Sequence, residues 1–203
     1  MAAELRENRI RRLSHIREFD DGLARCNWLN NDPIYIDYHD QEWGVVGRDQ
    51  QKLFEALCLE GFQAGLSWFT ILKRREGFRK AFHNFQIAEV ANMDSSDVER
   101  LMLDPGIIRN RAKILSCIKN ANLVLDQNIN LEELIWKFAP ESPLPAAENF
   151  EWRATSAESD ALSKELKKLG FGFVGSVSMY ALMQSSGLIQ DHAPGCFRRA
   201  ENF

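Results

Sequence analysis

Between residues 49 and 186 nearly every apolar run of the chain repeats at helical spacing, and almost none alternates as a half-buried strand would. In 49–60 (DQQKLFEALCLE), Leu53, Phe54, Leu57 and Cys58 fall on one face, and Gly61 follows where a helix-ending glycine stands. Residues 66–73 resume after Gly65, and 77–83 make another short helix. Ser96-Asp97-Val98-Glu99 has the form of a capping box and opens a segment running to Leu103. A longer helix over roughly 108–125 follows Asp104-Pro105-Gly106, and further helices are expected over 131–138, 159–169 and 175–186. Only FGFV at 171–174 reads as a strand, and it is too short to build a sheet. The pattern specifies an all-α bundle of many short helices.

With 203 residues and 45% apolar content, the chain can bury one sizeable core without covalent staples. Residues 23–203 are expected to form a single domain, with 1–22 as a charged extension that is peripheral or disordered. Residues 139–156 carry three of the six prolines and read as a connection between helices. No run approaches the length of a membrane helix, and the first 25 residues lack the apolar core of a secretory signal. A cytoplasmic monomer with no membrane partner is the expectation. The net charge of -4 argues at first against a nucleic-acid partner. The average conceals an asymmetry, because 105–120 holds four basic residues and no acidic one, and 72–82 is also basic.

In a reducing compartment the four cysteines are free thiols or metal ligands. Cys58 and Cys117 lie in apolar helical runs and read as buried thiols. Cys26 and Cys196 sit in polar sequence, each with a histidine in reach. His192 and Cys196 have a metal-ligand spacing, and Cys26 with His39 would complete a Cys2His2 set for one structural zinc ion. Spacing alone leaves open two surface histidines and two unengaged thiols. The Pro105-Gly106 turn, with Ile107, Arg109 and Arg111 after it, has the form of a hairpin that holds a DNA phosphate at a helix N-terminus. It can equally be an ordinary interhelical turn with solvated charges. Glu60 follows an apolar face, where an ionised carboxylate is costly without a partner. Trp28, Tyr35, Tyr38 and Trp43 cluster within 16 residues, as core or as a stacking platform for bases.

Taken together, RCNW (25–28), DPIYIDYHDQEWG (32–44), LFEALCLEGFQAGLSWFTIL (53–72), DPGIIRNRAKI (104–114), SDALSKELKKLGFGFVG (159–175) and DHAPGC (191–196) resemble the 3-methyladenine DNA glycosylase I family, among the helix-hairpin-helix glycosylases. The resemblance spans Arg25 to Cys196 and departs from the superfamily pattern at Ile108, where many hairpins carry a second glycine. Larger relatives place a catalytic Asp about 20 residues beyond the hairpin; the nearest here is Asp126, read as solvent-facing. The resemblance implies a zinc clip of Cys26, His39, His192 and Cys196 tying the two ends together. It implies Glu60 as the pocket carboxylate, with Trp28, Trp68, Tyr35 and Tyr38 around the base. Gly65 and Leu66 match the tip that fills the gap left by a flipped nucleotide.

The implied activity is base-excision repair: hydrolysis of the N-glycosidic bond of 3-methyladenine in double-stranded alkylated DNA, releasing the free base. No lysine stands in the pocket segments, so Schiff-base chemistry and strand cleavage are not expected, and no organic cofactor is needed. Alternatives from the same residues are a non-catalytic binding module for alkylated DNA, a zinc-dependent hydrolase and a helical interaction scaffold.

Overall fold

The computed structural model describes residues 15–142 and 150–199. A short antiparallel hairpin, β1 (Ile16–Glu18) and β2 (Ala24–Cys26), pairs Ile16 with Cys26 and opens the described chain. Ten helices follow: α1 (Pro33–Gln41), α2 (Gln50–Gln63), α3 (Trp68–Leu72), α4 (Arg75–Ala81), α5 (Ile87–Ala91), α6 (Ser95–Leu103), α7 (Arg111–Asp126), α8 (Leu131–Trp136), α9 (Ala157–Lys168) and α10 (Ser176–Ser185). A single 3-10 turn, His83–Phe85, joins α4 to α5. None of the described helices is long and apolar enough to cross a membrane. The architecture is therefore mostly helical, with a two-stranded sheet that the periodicity did not reveal.

The helices start where short polar side chains take up their orphan amides. Asp32 accepts from Ile34 N ahead of α1, Asp49 from Lys52 N ahead of α2, and Asn110 from Lys113 N ahead of α7. The capping box of α6 is built by Asp94 and Asp97, two residues before the Ser96-Glu99 pair read from sequence. Helix α7 begins at Arg111 and not near 108. The preceding segment turns at Pro105 and Gly106, buries Ile107 in the core and folds tightly again where Asn110 N donates to Ile108 O, so the helix starts only after its cap, Asn110. FGFV forms no strand. Its backbone bends at Phe173 (φ 56°), and the Asn120 side chain exchanges two hydrogen bonds with Gly172, at 2.9 and 3.2 Å.

Helix α2 runs through the centre. Every residue from Leu57 to Phe62 is buried, so this helix meets neighbours on all sides, among them α10, α8, α3 and α7. Cys58 on α2 and Cys117 on α7 are both buried, with their sulfurs 3.1 Å apart. A second, smaller apolar cluster contains Cys26, Tyr38, Trp43, Leu72, Phe150, Ala193 and Cys196. It joins the N-terminal hairpin to the C-terminal segment across α1. Residues 15–22, assigned from sequence to the extension, supply β1 and its turn; residues 1–14 lie outside the described residues.

Candidate active site and metal-binding cluster

A cavity of about 230 Å³ opens between α1, the end of α2, α3 and α10. Its walls include Trp28, Tyr35, Tyr38, Glu60 and Trp68, the five residues the sequence reading placed in one pocket. The rings hold each other at an angle: Trp28 lies 5.1 Å from Tyr35, and Tyr38 lies 5.4 Å from Trp68. Such tilted contacts fix each ring while leaving the inner faces free for a flat ligand. The cavity also takes in Trp43, Gln63, Trp152, Ala181 and Gln184, which were not assigned to it. Trp43 stood in the aromatic cluster already singled out. Trp152 carried no signal, because it sits in the proline-rich connection, far along the chain from the other walls.

Two polar atoms in this cavity are buried without a hydrogen-bond partner: Glu60 Oε2 and Trp68 Nε1. An acceptor and a donor without protein partners on the wall of one aromatic chamber are placed to be answered by what enters it. Burial holds the Glu60 carboxyl up at about 8 against an ordinary 4.5. The Tyr38 phenol is also pushed up, by burial first and the Glu60 charge second. The chamber is short of positive charge. A flat cation carrying both donors and acceptors on its edge would satisfy all of these deficits together.

Next to this chamber, Cys26, His39, His192 and Cys196 bring their ligand atoms within 4.8 Å of one another, all four residues buried. His39 Nε2 lies 3.2 Å from His192 Nδ1 and 3.4 Å from Cys196 Sγ, and His192 Nδ1 lies 3.6 Å from Cys196 Sγ and 4.0 Å from Cys26 Sγ. A tetrahedron with metal–nitrogen bonds near 2.0 Å and metal–sulfur bonds near 2.3 Å has edges of about 3.3–3.8 Å. Four buried donors at these spacings can hold one metal ion. The outward nitrogens are engaged too: His39 Nδ1 meets Asp40 Oδ1 at 2.7 Å, and His192 Nε2 meets the Trp43 carbonyl at 3.1 Å. These contacts turn the opposite nitrogens inward, the arrangement that orients metal-bound imidazoles. Asp40 is itself held by Arg25, which is 3% exposed and also bound to Asp21. His39 lies 5.5 Å from Trp28, edge to face, so cluster and chamber share a wall.

The remaining assigned residues lie at two turns. Gly65 and Leu66 form an exposed tip directly after α2, with Leu66 42% exposed. Gly106 and Ile107 lie in the link between α6 and α7. The Gly106 amide donates to Asp104 Oδ1 at 2.7 Å, and a Cβ at Gly77 of α4 would collide with the Gly106 carbonyl. Arg109 is exposed, whereas Arg111 forms a two-pronged ion pair with Glu99 of α6 at 2.7 Å. Asp126 is exposed at the end of α7, in line with its reading as solvent-facing.

Comparison with known proteins gives consistent matches. A family profile described as methyladenine glycosylase matches residues 28–199. A curated relative, DNA-3-methyladenine glycosylase 1 of Escherichia coli K12, is 49% identical over 179 residues, covering 86% of this chain and 96% of the relative. A crystal structure of a 3-methyladenine DNA glycosylase I superposes with a TM-score of 0.82 at 48% identity, covering 86% of this chain and 99% of the other. A second structure concerns 3-methyladenine recognition by the Staphylococcus aureus enzyme; it matches at 32% identity with a TM-score of 0.79, covering 86% and 96%.

Proposed function

The chain belongs to the methyladenine glycosylase family and is a DNA-3-methyladenine glycosylase, a hydrolase of N-glycosidic bonds; from that premise we propose how its residues divide the work. The observation that carries the reading is the unpartnered Glu60 Oε2 and Trp68 Nε1 inside an aromatic chamber. Adenine methylated at N3 in DNA is a flat cation with an amine and ring nitrogens on its edge. Stacking among Trp28, Tyr35, Tyr38 and Trp68 stabilises the flipped base, on the scale of roughly 1–3 kcal/mol per stacked base. Aromatic faces add attraction for the cation that neutral adenine cannot gain.

Glu60 is the residue that answers the charge. Burial favours the protonated carboxyl, and an adjacent cation favours the carboxylate. The ionised carboxylate hydrogen-bonds the base edge and offsets the flipping cost of a few kcal/mol. The cationic base is already a good leaving group, so exposure, recognition and entry of water to the sugar carbon suffice. The bond between that carbon and the base breaks, its electron pair leaves with the purine, which departs neutral, and water supplies the new oxygen and gives up one proton to the solvent. With no lysine amine in the chamber lining, the reaction stops at the abasic site.

The Cys2His2 cluster suits zinc, and with all four positions filled by protein that ion is structural. Cys26, His39, His192 and Cys196 would hold it, tying the N-terminal hairpin to the C-terminal segment behind Trp28. The α6–α7 link acts as a helix-hairpin-helix element. Arg109 and the turn around Gly106 and Ile107 approach a phosphate, while Arg111 is largely engaged by Glu99. Gly65 and Leu66 enter the space the nucleotide vacates, on a double-stranded substrate bound by the monomer. The test is direct: incubate the protein with N-methylated DNA and identify released bases by chromatography. Release of 3-methyladenine without strand scission is expected; binding without release would make the chain a recognition module.

A further inference from the structure

Lys113 is 8% exposed, and its ammonium meets two backbone carbonyls, Phe62 O at 2.8 Å and Ala64 O at 2.6 Å, and no carboxylate among the described residues. It lies in the first turn of α7, where the helix dipole disfavours a cation, and burial pushes its pKa down. Both local effects oppose a lysine here, so its value lies in what it holds. Phe62 O is one of the orphan carbonyls at the end of α2, two residues past Glu60.

Ala64 O has a more specific meaning. Leu66 N donates to Gln63 O at 2.6 Å, Ala64 has φ −46° and ψ 115°, and Gly65 has φ 83°. These values define a type II turn over Gln63–Leu66, with glycine where positive φ is required. A Cβ on Gly65 would meet nothing within 4 Å, so the glycine serves conformation and not space. A type II turn differs from type I by reversal of its central peptide, which here is the bond whose carbonyl Lys113 grips. The same lysine's own amide is fixed by Asn110, the cap at the end of the α6–α7 link.

We propose that Lys113 is a positioning residue that locks the Gln63–Leu66 turn in its type II form and ties the Leu66 tip to the α6–α7 hairpin. Phosphate contact at the hairpin and insertion of Leu66 then become one rigid event. This rests on the reading of Leu66 as the wedge and of the hairpin as the phosphate grip.

The test measures excision from one oligonucleotide carrying a single 3-methyladenine, as duplex and as single strand, with free 3-methyladenine binding followed by tryptophan fluorescence. For Lys113→Met, duplex kcat/KM is expected to fall about 10- to 100-fold, because a tip displaced by about 1 Å no longer arrives in register. Single-strand excision and free-base affinity should stay within about twofold of wild type. Where Lys113→Met is too unstable to assay, Lys113→Arg keeps the charge but misplaces the donor, and the same duplex-selective loss is expected in smaller measure. Leu66→Ala serves as the comparator. If Leu66→Ala slows duplex excision and Lys113→Met does not, the lock is overturned while the wedge stands; if neither does, the wedge reading fails with it. Equal losses on duplex, single strand and free base would also overturn the proposal, leaving Lys113 as a support for the fold. With both substitutions combined, the duplex loss should be less than the product of the single losses.

Discussion

The aromatic chamber and the Cys2His2 cluster share a wall, yet they treat polar atoms in opposite ways. In the cluster every imidazole nitrogen has a neighbour: the inner ones meet each other and the thiols, the outer ones meet Asp40 and the Trp43 carbonyl. In the chamber Glu60 Oε2 and Trp68 Nε1 are buried without a protein hydrogen-bond partner among the described residues. A permanently bound ion, as proposed for the cluster, would permit a fully answered surround, because the surround would never have to exist without it. A substrate that arrives and leaves requires groups that stay unanswered in between, at a standing cost to stability.

The cluster should yield the largest effect. Cys196→Ala or His192→Ala leaves three buried donors and an incomplete site, and loss of several kcal/mol is expected, a drop of about 10 °C or more in Tm, with loss of bound zinc. Metal analysis and calorimetry decide this; wild-type protein free of zinc, or a variant melting with it, would dissolve the contrast. Next comes Glu60→Gln, expected to slow excision about 100-fold, the scale of one charged hydrogen bond to the reacting base.

The same substitution should act oppositely on stability. Because the folded pKa of Glu60 lies above its ordinary 4.5, the native state gives up this proton less readily than the unfolded chain. Wild-type stability is then fully present below about pH 4.5 and declines as pH rises through about 8. Gln has no proton to lose, so melts at pH 5 and pH 9 should show the variant gaining on wild type by up to a few kcal/mol at the alkaline end. A variant less stable at both ends would mean that Glu60 is answered in the native protein after all. The companion kinetic signature is a wild-type kcat/KM that climbs toward pH 8 and loses that limb in Glu60→Gln.

The smallest effect belongs to Arg109, outside both regions. Arg109→Ala should weaken binding to all DNA sequences alike and make the salt dependence shallower by about one ion. An unchanged slope would move the DNA off the hairpin.

How much of this was legible beforehand follows from where the signals are local. Helix α2 announced itself through Leu53, Phe54, Leu57 and Cys58, and the sequence spacings of the two half-sites brought Cys26, His39, His192 and Cys196 together as one candidate set. The features that escaped are held by partners distant in sequence. The strands β1 and β2 are three residues each with no alternation, and the second is anchored by Phe197 N bonding Ala24 O. FGFV looked like a strand because local propensity says nothing of Asn120, which ties Gly172 from α7. Trp152 reaches the chamber from a segment whose composition spoke only of a loop; its ring is held by Phe150 at 5.0 Å and His15 at 6.0 Å. Lys113 is one of the four basic residues of 105–120, and no property of its neighbours along the chain betrays that it turns inward.

The meeting of Cys26 with Cys196 has a topological consequence. With its two ends pinned at one buried point, the described chain is nearly a closed ring, and a ring cut once becomes a string that still holds together. A single proteolytic nick in the exposed stretch 153–155 should therefore leave two fragments that co-migrate, since each carries two of the four donors. Separation of the pieces should await the opening of the cluster.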